Sequence, residues 1–177
     1  ISSLLFPIFH PMQRACTTLV LLLLLGNCPA KAGLPRAIPS DFLVKVTEGQ
    51  QTEIPFFQVF QVRADSIHYR VQEEGFERTL ALPTPQGAIH FLYQRLKQLH
   101  ATQIRSRPSG QTVFGQPMAS LEIMAGGKKS LAVRSGQTMI LRRWESRFNE
   151  ALFAVKDFVA RQVRRNEQEV QLEITYS

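Results

Sequence analysis

The chain has only two cysteines, Cys16 and Cys28, and both fall in its first 28 residues. The 145 residues from Gly33 onward hold no thiol, which excludes disulfide frameworks, cysteine nucleophiles and thiolate metal sites from that part. Acids are missing from the first 40 positions, and aspartate occurs only at Asp41, Asp65 and Asp157. That leaves little for the paired carboxylates of a glycosidase. No G-x-S-x-G sequence marks a nucleophile elbow. Ser109 and Ser135 each precede a glycine, which is ordinary turn chemistry. His68, His90 and His100 are too dispersed to form a close ligand pair, and zinc needs three or four donors. These shortages predict no catalytic residues, no metal and no cofactor.

Long apolar runs are also scarce. The one present spans residues 15–26, after Met12-Gln13-Arg14 and before Asn27-Cys28-Pro29 and Ala30-Lys31-Ala32. A basic start, a short greasy segment and a small-x-small site predict a secretory signal peptide that starts at Met12 and is cleaved near Ala32. Residues 1–32 then form an extension and leader, with no structural role for residues 1–11, and 33–177 a single globular domain. The apolar run is shorter than the roughly 20 residues that cross a bilayer. A retained anchor and lipidation at Cys28 are the two alternatives. The expected location is periplasmic or extracellular, with membrane contact only through an uncleaved leader.

Without the leader the chain carries nineteen basic and fourteen acidic residues, a net charge of +5 against +7 for the whole. That moderate excess suits an acidic partner or an anionic envelope component, and export makes nucleic acid an unexpected one.

Hydrophobic periodicity supplies the architecture. Phe42, Val44 and Val46 alternate with polar or opposite-facing residues, as do Phe57–Arg63, Ile67–Gln72 and Phe76–Leu82. Glu48-Gly49, Ala64-Asp65-Ser66 and Glu74-Gly75 stop these runs, which predicts an antiparallel meander. Thr84-Pro85 reads as the N-cap and first residue of a helix carrying Ile89, Leu92, Tyr93, Leu96 and Leu99 on one stripe. Residues 105–117 hold two prolines and two glycines without a period, and predict a long mobile loop. Leu121 and Ile123, Gly126-Gly127, then Leu131 and Val133 predict a hairpin. Residues 142–163 predict a second helix whose stripe includes Trp144, Phe148, Leu152, Val155 and Val159. Glu169–Tyr176 alternate again and predict a last strand. The expected class is α+β: a mostly antiparallel sheet (meander, hairpin and C-terminal strand) with two amphipathic helices on one face.

Two motifs invite a functional reading. Gly126-Gly127-Lys128-Lys129-Ser130 resembles part of a phosphate loop, but the first glycine is missing and a strand follows where a helix belongs. The arginines of the second helix are the stronger signal. Arg143, Arg147, Arg161 and Arg165 are the candidate partner-binding residues, since guanidinium suits carboxylate or phosphate. Glu150 and Asp157 at i,i+3 and i,i+4 offer local ion pairs instead. The sequence therefore predicts an exported, non-catalytic protein that works by binding, as an envelope accessory or inhibitor-like module with an unidentified protein partner. The alternative is a small secreted hydrolase whose histidine and carboxylates are assembled by the fold.

Overall fold

Four eight-residue strands follow one another: β1 (Leu43–Gln50), β2 (Phe56–Arg63), β3 (Ser66–Glu73) and β4 (Phe76–Pro83), with two-residue turns at 64–65 and 74–75. The computed structural model describes residues 33–50, 55–113 and 115–176. The expected leader and cleavage site and both cysteines lie outside them. After the meander come α1 (Gln86–Gln98), β5 (Ser106–Pro108), β6 (Met118–Ala125), β7 (Lys128–Arg134), β8 (Thr138–Ile140) and α2 (Glu145–Tyr176). The six long strands form one antiparallel sheet in the order β4-β3-β2-β1-β6-β7, and β5 pairs with β8 separately. The expected α+β class is the one observed.

The register sets one dry face. Val44 lies opposite Val62 and Ile123, Val46 opposite Phe60 and Leu121, and Val62 opposite Ile67. Residues paired directly across an antiparallel ladder share a face, so these side chains form one buried layer. The stripe of α1 (Ile89, Leu92, Tyr93 and Leu96) and that of α2 (Phe148, Ala151, Leu152, Val155 and Val159) close over it. In β7 the inward residue is Ala132, whereas Leu131 is half exposed on the other face.

Polar contacts show how α2 crosses the sheet. Arg134 of β7 donates to Asn149 at 2.9 Å, Lys156 meets Glu48 of β1 at 2.6 Å, and Arg78 of β4 meets Glu167 at 3.5 Å. Eighteen residues of helix span about 27 Å, and five interstrand spacings come to about 24 Å. The helix thus traverses the whole sheet from β7 to β4.

The lead-in before β1 is pinned rather than loose. The Tyr93 ring meets Phe42 edge-on at 5.0 Å. Its hydroxyl reaches the carbonyls of Pro35 and Ala37 at 3.0 and 3.2 Å. Burial, and then the charge of Asp41, push the Tyr93 phenol above its ordinary value, so the hydroxyl keeps its proton and donates.

Three expectations are corrected. Thr84 does not cap α1: its hydroxyl donates to the Arg63 carbonyl at 3.1 Å, and Pro85 takes the N-cap place with no side-chain bond. Thr84 is itself buried, so its hydroxyl needs a partner within the fold and finds it on β2, while the helix start next to it is left without a side-chain cap. The 105–117 loop is not free. Its first part is β5, Ser109 N–H donates to Gln137 at 2.9 Å, and Val113 N–H donates to Gly136 at 2.9 Å. Only glycine fits at 136, where a Cβ would stand 2.0 Å from the Val113 carbonyl oxygen.

The third correction is the C-terminal strand, since residues 169–176 continue α2. No glycine or proline separates them from Val163, and Arg164, Arg165, Glu167 and Gln168 are good helix formers. Lengthening an existing helix adds a hydrogen bond per residue with no new nucleus.

Candidate functional site

The most distinctive surface lies on the solvent side of the two helices. They run antiparallel: Pro85 ahead of α1 sits near Gln162 and Arg165, and Arg95 near its end meets Glu150. Between them is an open groove of about 530 Å³. Leu92, Ala154 and Phe158 form part of its lining, together with Phe91 and Phe153. Phe91 is 80% exposed and Phe153 68%. Arg95 pairs with Glu150 at 2.9 Å and Arg161 with Asp157 at 2.7 Å, so the groove is edged by two positive and two negative side chains. An apolar channel with a polar rim is the usual anatomy of a protein contact.

The four candidate arginines do not form one patch. Arg143 and Arg147 sit over the Trp144 ring, at 5.7 and 5.2 Å from its centre. Among the described residues no ion pair holds either. Arg161 is about 21 Å farther along the helix from Arg147, at the groove and paired with Asp157. Arg165 borders a smaller depression with Leu82, Pro83 and Pro85. A further arginine that the sequence reading passed over, Arg134, stacks 5.4 Å above Phe148 and so joins Arg143 and Arg147 near the start of α2.

The glycine-lysine motif is a turn. Gly126 and Gly127 have φ of 60° and 70°, the two left-handed residues of a type I′ hairpin. Their N–H groups bind the carboxylate of Asp41 at 2.8 and 2.6 Å. The hydrogen bonds from Gly127 and then Gly126 hold the Asp41 carboxyl below its usual range. The chain's own anion therefore occupies the position that a phosphate would need. Its spacing of 85 residues from Gly126 hides this contact from any local motif.

The histidines stay apart. His68 is on the sheet face away from the helices, opposite Gln61 and Ala81. His90 is on α1 beside Gln94, and His100 follows that helix with φ of 51°. Among the described residues no group of three His, Cys, Asp or Glu side chains is placed to hold a metal. Thr112, Val113, Gly115 and Gln116 border a second cleft of about 360 Å³ with Gly49, Phe57 and Met118. Among the described residues no helix is long and apolar enough to cross a membrane.

The sequence reading missed Phe91 and Phe153. Each stands directly before or after a stripe residue, Leu92 or Leu152, and so lies about 100° off it on the helix. That offset is the one signal that could have found them. No protein-family model matches the chain, and no curated protein matches it.

Proposed function

We propose that the chain is an exported, non-catalytic binding module whose contact surface is the α1–α2 groove, and that the groove takes an amphipathic helix of a protein partner. The exposure of both Phe91 and Phe153 on that groove carries this reading. A helix laid between two antiparallel helices offers apolar anchors at i, i+3 or i+4 and i+7 to the channel. Charges of both signs on its flanks complement Arg95, Glu150, Asp157 and Arg161. The basic start, apolar run and small-x-small site within residues 12–32 support export. The hydrolase alternative has no comparable support, since His68 and the groove lie on different faces.

A second reading has one observation behind it. Arg143 and Arg147 are stacked on Trp144 without an acidic partner among the described residues, which suits an anionic envelope component.

The test captures proteins from an envelope extract with the full chain and with a Phe91→Ser, Phe153→Ser double variant. A protein retained stoichiometrically by the first and lost by the second, whose contacting segment turns helical on binding as a peptide, supports the groove. Retention that the double substitution leaves unchanged overturns it. Salt-sensitive retention on phosphatidylglycerol vesicles, lost on Arg143→Ala with Arg147→Ala, replaces it with the anionic reading.

A further inference from the structure

Strand β4 ends the sheet on one side, pairing with β3 alone among the described strands. Six of its eight residues are exposed, and Phe76 is 56% exposed. An unpaired edge of this length presents a row of N–H and C=O groups that recruits other strands. The far part of α2 passes over this edge. Gln162, Arg165 and Asn166 border Leu82 and Pro83, and Glu167 then meets Arg78 at 3.5 Å. The helix therefore crosses β4 and leaves the sheet at its open edge, with Asn166 beside the Pro83 end of that strand.

The next residues, 169–176, are those in which Val170, Leu172, Ile174 and Tyr176 alternate with Glu169, Gln171, Glu173 and Thr175. A period of two makes one apolar face on a strand and no single stripe on a helix. Local pattern and helical state disagree here, and such conflicts concentrate at functional or two-state segments.

We propose that residues 169–176 have a second state, an antiparallel seventh strand on the outer side of β4 in the same molecule. Both partners are eight residues long. A turn over residues 166–168 reaches about 10 Å, roughly the separation of packed layers. With Val170 opposite Leu82, Leu172 falls opposite Leu80, Ile174 opposite Arg78 and Tyr176 opposite Phe76. The apolar half of the tail thereby joins the side of the sheet that the helices cover. The tether favours the molecule's own tail over a second copy, because it holds the strand at an effective concentration on the order of millimolar. Closure denies the edge to any extended peptide that would add to it, so the tail governs strand addition there.

The test follows amide hydrogen exchange of β4 in the full chain, in a chain ended after Gln168, and in a Val170→Ala, Leu172→Ala, Ile174→Ala variant. Alanine favours helix and removes the strand's apolar face. Both variants should exchange β4 amides about tenfold faster than the full chain, the factor expected for losing a ladder contact worth about one hydrogen bond. Equal exchange in all three overturns the proposal. A Leu80→Cys, Leu172→Cys pair, placed in a chain with Cys16→Ser and Cys28→Ser, should oxidise to a cross-linked monomer. A cross-linked dimer, or no cross-link, overturns it as well.

Discussion

Phe148 and Phe153 are five residues apart on α2 and are expected to respond to alanine in opposite ways. Phe148 is fully buried in the core, whereas Phe153 is 68% exposed at the groove. Replacing a core phenylalanine by alanine costs about 3–5 kcal/mol through lost transfer energy and a residual cavity. At Phe153 only about a third of the side chain leaves water. Burial of a whole phenylalanine is worth roughly 1.5–3 kcal/mol, so its loss there is about 0.5–1 kcal/mol. Alanine's better helix propensity returns about 0.5 kcal/mol of that. Phe153→Ala is therefore nearly neutral. Urea and thermal unfolding of the full chain measure both variants. At about 2–4 °C per kcal/mol for a domain of this size, Phe148→Ala should lower Tm by on the order of 10 °C and Phe153→Ala by less than about 2 °C. A loss above about 2 kcal/mol at Phe153 would show that its ring clamps the helices together. The groove would then be part of the core, and the binding reading would lose its support.

Three other substitutions test separate parts of the account. Asp41→Asn should destabilise the chain at neutral pH. The Asp41 carboxyl is held below its ordinary value by the Gly127 and Gly126 N–H groups, so its contribution is present above the unfolded pKa of about 3.9 and disappears as pH falls through the folded value. The gap between wild type and variant in urea titrations should thus narrow below about pH 4, and a constant gap from pH 7 to 3 would contradict the hydrogen bonds. Tyr93→Phe removes the donor to the Pro35 and Ala37 carbonyls, should cost about 1 kcal/mol, and should speed tryptic cleavage after Arg36; an unchanged cleavage rate would mean that the lead-in is held elsewhere. Glu48 and Lys156 meet at 2.6 Å while both are partly out of water. A double-mutant cycle should give a coupling of about 1 kcal/mol that shrinks in high salt, and zero coupling would remove the pair as a tie between α2 and β1.

What could be read from sequence was what a repeating pattern writes locally. The four meander strands alternate because one face of the sheet is wet, and the stripes of both helices were legible because each buries residues three and four apart. Gly126-Gly127 announced its turn because positive φ at two successive positions favours glycine. Strands β5 and β8 left no such trace. Each is three residues long, too short for a period, and each exists because the other is brought beside it across some 30 residues of chain. At residues 169–176 the local pattern was clear and the helix overrode it, since propagation from α2 needs no partner and a strand does.

The arginines and the phenylalanines of the two helices carry different weight as evidence for a contact surface. Arginine near a helix N-terminus meets the positive end of the dipole, which costs about 0.3–1 kcal/mol per charge, and Glu145 is the one acid in that first turn. A functional role would explain tolerance of this cost, but packing explains it too. Arg143 and Arg147 lie over Trp144 and Arg134 over Phe148, and each such contact returns about 0.5–1 kcal/mol. Arg161 has Asp157. Every one of these arginines therefore has a local reason to be where it is. Phe91 and Phe153 have none: they are large, apolar and mostly in water, beside a channel that the described residues leave open. A residue that the fold does not use is the better witness to a contact outside it, and that asymmetry is the support for the groove as the proposed contact surface.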